Sequence, residues 1–220
     1  MSSRSPLLAV AGLGLSLAVA AVTVTWIACG PATAQGVIVT SSETLTPATV
    51  AASDSGIVTG NPQGDVTLVE VFDYQCSVCR QVHPAVERLV REDGNIRLVH
   101  KHWPIFGAAS THAAELALAA RWQDRYDAVH HALMSQRGKL NRETARETAA
   151  AAGLDLAQAD ADLTARREEI DTILAGVARE ATIMGLRGTP AFLAGDYVVP
   201  GGLDHAGLTE LVRLARNGAD

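Results

Sequence analysis

The chain has 220 residues, 48% hydrophobic and 19% charged, with a formal net charge of −6. That is an ordinary globular composition, and its length suits one domain or one domain carrying an insertion. The balance is mildly acidic and no run of Lys or Arg occurs, which argues against nucleic acid as a partner.

Residues 1–34 read as an export segment. Arg4 is the sole charge there, followed by the uncharged run Leu7 to Ala28. "CGPATAQ" then presents Ala32-Thr33-Ala34, a small-x-small cleavage site that suits a signal peptide. The uncharged run is also long enough to span a bilayer, so residues 7–28 can instead be an uncleaved N-terminal anchor, a membrane tether. Lipid attachment at Cys29 is a third reading, although Trp26 stands where an aliphatic residue is expected. All three place the domain outside the cytoplasm, in the periplasm or an equivalent extracytoplasmic space.

Residues 35–63 are rich in Ser, Thr, Ala and Gly without a sustained period, and read as a linker or N-terminal arm ending at Gly60-Asn61-Pro62. The folded region is expected to begin near Asp65. "VTLVEVF" (66–72) is β-branched and apolar on both faces, the pattern of a central strand. Beyond Cys76, the spacing of Val78, Val82, Val86, Leu89 and Val90 predicts a helix that Gly94 ends. "IRLVHKHW" (96–103) returns to strand character, completing a βαβ unit.

From 108 to 185 the period is helical. Asn141 and Asp155 are placed as N-caps, and Ile170, Ile173, Val177 and Ala181 mark one face of a long helix ending at Gly185. Ala191–Ala194 and Tyr197–Val199 form a hairpin about Gly195-Asp196, and Asp204 caps a last helix with Leu208, Leu211 and Val212 inward. The fold class is therefore α/β, with 64–107 and 186–218 as βαβ and ββα halves around a helical insertion, 108–185.

The chemistry centres on "FDYQCSVCRQVHP". Cys76 and Cys79 lie where a buried strand hands over to a helix. The helix amino end carries unpaired N–H groups and partial positive charge, which favour a thiolate, so Cys76 is expected to be the exposed nucleophile. Cys79, one turn inward, can resolve a mixed disulfide. A zinc site needs about four ligands and no second Cys-x-x-Cys exists; His83, His100 and His102 are the residues that could complete one. A purely structural disulfide over so small a loop would remove little chain entropy.

Glu70 shares a strand face with Leu68 and Phe72. An acid there is costly unless paired or protonated, and beside a buried thiol it could exchange the Cys79 proton. It could equally be a strand-end residue reaching water. Thr189-Pro190 opens a later strand; read alone, the bond is expected to be trans. His130 and His131 sit in a helix, one packed and one solvated, and Trp122, Tyr126 and Leu133 read as core.

Together, "FDYQCSVCRQVHP", the intervening helices and "GLRGTPAFLAGDYVVPGG" resemble the DsbA-like family of thioredoxin-fold thiol–disulfide oxidoreductases, over about residues 56–216. The resemblance implies a thioredoxin-like fold, catalytic roles for Cys76 and Cys79, a buried acid at Glu70, and a cis peptide at Thr189–Pro190. It also implies that Thr189 offers main-chain groups to an extended substrate, and that Pro84 bends the active-site helix. Val78 departs from the strong oxidants of the family, which carry His there, leaving the direction of exchange between oxidase and isomerase or reductase open. The expected partners are exported proteins bearing thiols or disulfides and a membrane or soluble redox partner. No cofactor or metal is expected, since the dithiol itself carries two electrons. A metal-binding or chaperone module using the same thiols is the reading from another class.

Overall fold

The computed structural model describes residues 39–40 and 45–218. The signal-peptide, tether and lipid-attachment readings of residues 1–34 lie outside them. A six-stranded mixed sheet has the order β1-β6-β5-β3-β4-β2, formed by β1 (Val39–Thr40), β2 (Ile57–Gly60), β3 (Val66–Phe72), β4 (Ile96–His102), β5 (Ala191–Ala194) and β6 (Tyr197–Pro200). Only the central β3–β4 pair is parallel, and helix α2 (Ser77–Asp93) crosses between its strands. β3 is covered on both faces, which explains its unbroken apolar run.

On one face, Leu68 and Leu98 pack against Val82, Val86 and Leu89 of α2 and Leu208 and Leu211 of α8 (His205–Asn217). On the other, Val69, Val71, Val99 and Leu193 meet Val177 and Ala181 of α7 (Arg167–Ile183). The helical insertion, α3 (Ala108–Ala120), α4 (Tyr126–Ser135), α5 (Arg142–Ala151), α6 (Leu156–Ala165) and α7, closes a third core around Phe72, Tyr74, Leu116 and Leu133. Asn141, Asp155 and Asp204 cap their helices with side-chain oxygens, as expected.

The segment 35–63 differs from the linker or arm read in the sequence. Residues 47–60 belong to the domain: α1 (Pro47–Ala52) is capped by Thr46 and packs Val50 into the core, and β2 pairs antiparallel with β4. Between them, Ser53 and Ser55 are pinned by charge. Lys101 of β4 is fully buried, its Nζ 3.1 Å from a Glu180 oxygen of α7 and donating to Ser53 Oγ at 2.5 Å and Ser55 Oγ at 2.7 Å. Both hydroxyls also bond to Glu180 Oε1. An ammonium here is tolerable only because three oxygens replace its water.

Lys101→Met should therefore lower unfolding free energy by about 3–5 kcal/mol in urea, by stranding the Glu180 carboxylate. Lys101→Met combined with Glu180→Leu should recover most of that loss; a double variant no better than the single one would reject the account.

Candidate active site

The strand β3 delivers the chain to a turn, Asp73–Cys76, from which α2 starts. Cys76 is the helix N-cap: its sulfur takes the place of the usual Ser or Asp oxygen and accepts from the Cys79 amide at 3.2 Å. Across the gap, Cys76 Sγ lies 3.3 Å from the Thr189 carbonyl oxygen, and the Thr189–Pro190 peptide is cis, as the resemblance implied and against the bare expectation. Both cysteines are free thiols. Cys76 is less open than expected, at 4% exposure against 0% for Cys79. The ranking holds, but the sulfur looks out through a narrow slot.

Charge separates the pair more sharply than exposure. The Cys76 thiol is lowered to about 6, first by the hydrogen bond from Cys79, then by Thr189 and the amides at the helix start, against the cost of burial. Cys79 is pushed far above the usual thiol range by burial and by the neighbouring Cys76. At neutral pH the pair is one thiolate and one thiol. Val78 contributes its amide to this balance but no side-chain group, and the residue is 41% exposed. It lies against Gly202, where a Cβ would come within 2.7 Å of Val78 Cγ1.

Sequence reading missed Asp73. Its carboxylate is buried and takes four hydrogen bonds: from the Gln75 amide (2.7 Å), Ser110 Oγ (2.7 Å), the Ile105 amide (2.7 Å) and the Phe106 amide (3.1 Å). One side chain thus fixes the active-site turn, the loop after β4 and the start of α3. The available signal was an acid immediately after a buried strand. The loop presents Ile105 and Phe106, 40% and 54% exposed, beside the Gln75 side chain that bonds to the Phe106 carbonyl. Pro84 lies inside α2, as the resemblance implied.

Glu70 is fully buried, which removes the reading of a solvated strand end. Neither of its oxygens has a hydrogen-bond partner, so none bonds to Cys79; a titratable neighbour is His100, with Nδ1 at 3.6 Å. Around it are buried rings. His130 is held well below the usual imidazole range and His102 is lowered to about 3, both chiefly by burial, so these rings are neutral. His131 is solvated and His130 packed, as expected. His83, His100 and His102 do not gather on the cysteines: among the described residues, the clusters of possible ligand atoms are Glu70–His100–His130 and His83–Glu87–His131. Tyr126 and Leu133 are core, and Trp122 lies under the Arg121 and Arg166 guanidiniums.

A Cys-x-x-Cys pair split into thiolate and thiol at a helix amino end, facing a cis Thr-Pro loop, defines a DsbA-like protein of thioredoxin fold. The chain belongs to the family described as Thioredoxin, whose model matches residues 52–213. It is similar to a thioredoxin-like oxidoreductase from Silicibacter pomeroyi DSS-3, with 42% identity and a TM-score of 0.72 over 75% of this chain and 94% of that one. The thiol-disulfide exchange protein alpha-DsbA2 from Wolbachia pipientis is 25% identical, with a TM-score of 0.70, over 74% and 89% of the two chains. A Na(+)/H(+) antiporter NhaA 1 of Mycolicibacterium gilvum is 28% identical over 162 residues, 72% of this chain and 26% of the antiporter. The chain thus spans about a quarter of that curated relative. No described helix is long and apolar enough to cross a membrane.

Of the active-site pair, alkylation of the reduced protein should label Cys76 and spare Cys79, at a rate that rises with pH through a midpoint of about 6 and levels off above it, because only the thiolate reacts. Labelling of Cys79 first, or a midpoint near an ordinary thiol's, would overturn the assignment. Asp73→Ala leaves several donors unpaired and should cost at least about 2 kcal/mol in chemical denaturation. A neutral result would show that the loop holds itself.

Proposed function

We propose that the protein is an exported thiol–disulfide oxidoreductase that donates disulfides to thiol-bearing proteins outside the cytoplasm. The observation that carries this is the lowered Cys76 thiol. A group stabilised as thiolate favours the reduced state, so its disulfide is a better oxidant. The sign follows from linkage: the depressed thiol stabilises the reduced fold fully above the unfolded thiol's value of about 8.5, and that stability is lost as pH falls through about 6. Export rests on the charge-free run Leu7–Ala28 and the Ala32-Thr33-Ala34 site.

In this reading a substrate thiolate attacks Cys76 Sγ of the Cys76–Cys79 disulfide. The S–S bond breaks and Cys79 departs with the electron pair, then takes up a proton, as its raised affinity requires. The substrate's second thiolate then attacks the first substrate sulfur in the mixed disulfide, forming the substrate disulfide and expelling Cys76 as thiolate. Thr189 holds the substrate backbone by strand addition, and the exposed Val78, Ile105 and Phe106 give apolar side chains a resting surface. A membrane or soluble partner removes the two electrons and resets the disulfide.

Isomerase or reductase work is the second reading, favoured by Val78, whose side chain has no group to donate to the thiolate. Equilibration in glutathione buffers decides between them. A disulfide donor should show a potential less negative than about −200 mV, whereas a value near about −270 mV would assign reduction. Val78→His should move the potential in the oxidising direction by adding a donor beside Cys76. Cys79→Ser should accumulate mixed disulfides with thiol proteins through Cys76, and Cys76→Ser should accumulate none.

A further inference from the structure

Apart from the hydrogen bonds that hold the dithiol, a second polar cluster is buried where two strands meet the helical insertion. Glu70 comes from β3, His100 from β4 and His130 from α4, with one possible ligand atom on each and all three within 4.8 Å of one another. Their exposures are 0%, 4% and 4%. Both Glu70 oxygens, His100 Nδ1 and His130 Nε2 have no hydrogen-bond partner. Four orphaned acceptor or donor atoms in one buried spot are costly, since each forfeits its water without replacement.

The outward nitrogens of the two rings are already engaged. His100 Nε2 lies 3.0 Å from Thr59 Oγ1, and His130 Nδ1 lies 2.9 Å from the Tyr74 hydroxyl. With those nitrogens protonated and donating, His100 Nδ1 and His130 Nε2 are left as acceptors without a partner, as are the Glu70 oxygens. Outer hydrogen bonds of this kind orient metal-binding imidazoles. A shared proton does not resolve the cluster, because Glu70 and His100 Nδ1 are 3.6 Å apart, beyond hydrogen-bond length.

We propose that Glu70, His100 and His130 bind a zinc-class divalent transition-metal ion, with a fourth position left open. Two imidazoles and a carboxylate suit such an ion and not calcium or magnesium, which take oxygen ligands. Ligand bonds of about 2.0–2.1 Å in a tetrahedron set donors about 3.3 Å apart, close to the Glu70–His100 spacing. The wider separations close as donors that repel one another turn in on a cation. Entry is provided by a cleft of about 300 Å³ whose walls include Thr59, His83, Glu87, His100, Asp127 and His130. Its walls carry the acids Glu87 and Asp127 against Arg91, a balance that favours cations. The bound ion would tie α4 of the insertion to β3 and β4.

The test uses the whole chain with Cys76–Cys79 as the disulfide and Cys29 alkylated, so that no thiol competes. Titration with Co²⁺ should give one ion per chain with the visible absorption of four-coordinate cobalt, displaced by Zn²⁺, and Zn²⁺ should raise the melting temperature. Glu70→Gln and His130→Gln should each weaken binding by at least about tenfold and remove the melting shift. His131→Ala, in the neighbouring His83–Glu87–His131 group, should leave affinity and stoichiometry unchanged. If the buried variants do not fold, Zn²⁺-dependent shifts of the His100 and His130 ring signals in the wild-type protein serve instead. No bound Co²⁺ at millimolar ion, unshifted His100 and His130 signals, or binding lost in His131→Ala but kept in Glu70→Gln would each overturn the proposal.

Discussion

The amide of Cys79 points at the sulfur of Cys76 across 3.2 Å, and the rest of the site is arranged around that one hydrogen bond. It makes Cys76 the cap of its helix, so the thiolate sits where the backbone dipoles converge. The same bond commits Cys79 to the first turn, inside the core, where water cannot stabilise a second charge. A three-residue offset therefore yields two thiols of opposite character without any charged side chain between them. β3 supplies the rigid approach, and the Thr189 carbonyl limits Cys76 to one open side.

Buried charges do much of the work of joining the parts. Asp73 holds the loop at 105–106 and the start of α3 to the active-site turn, so the helical insertion and the dithiol share one anchor. On the opposite face of the sheet, Lys101 and Glu180 hold α7 and the Ser53–Ser55 turn to β4. Apolar packing would stabilise these junctions as well. Charges differ in that only one arrangement satisfies them, which fixes where each loop lies relative to Cys76.

Features whose causes are local were legible in the sequence. The both-sided strand 66–72, the helix ending at Gly94, the caps Asn141, Asp155 and Asp204, and the Cys-x-x-Cys at a helix start each depend on a few neighbouring residues. What was misread depends on distant partners. Residues 47–60 look like a linker because α1 and β2 are short, although Thr46-Pro47 is a sound helix-start signal. Ser53 and Ser55 are ordinary linker residues until Lys101, 48 and 46 positions away, is folded against them. Asp73 stands inside the most informative motif of the chain, yet its partners Ile105, Phe106 and Ser110 lie 32 to 37 positions on. Glu70 and His100 read separately, one beside the thiols and one as a possible zinc ligand, and His130 reads as bland; that the three meet depends on two strands and an insertion helix coming together.

The sheet's outer strands carry a further consequence. Both edges end in very short segments, β1 with two residues and β2 with four, and β2 finishes at Gly60 in a left-handed conformation that ladders do not extend. Long, flat edges invite other chains to add strands and grow into aggregates. Among the described residues, margins this short offer little ladder to a passing extended chain. Under the proposed function, an extended partner would then pair at the Thr189 loop beside the Cys76 sulfur, and its contact would end with the exchange and seed no further growth.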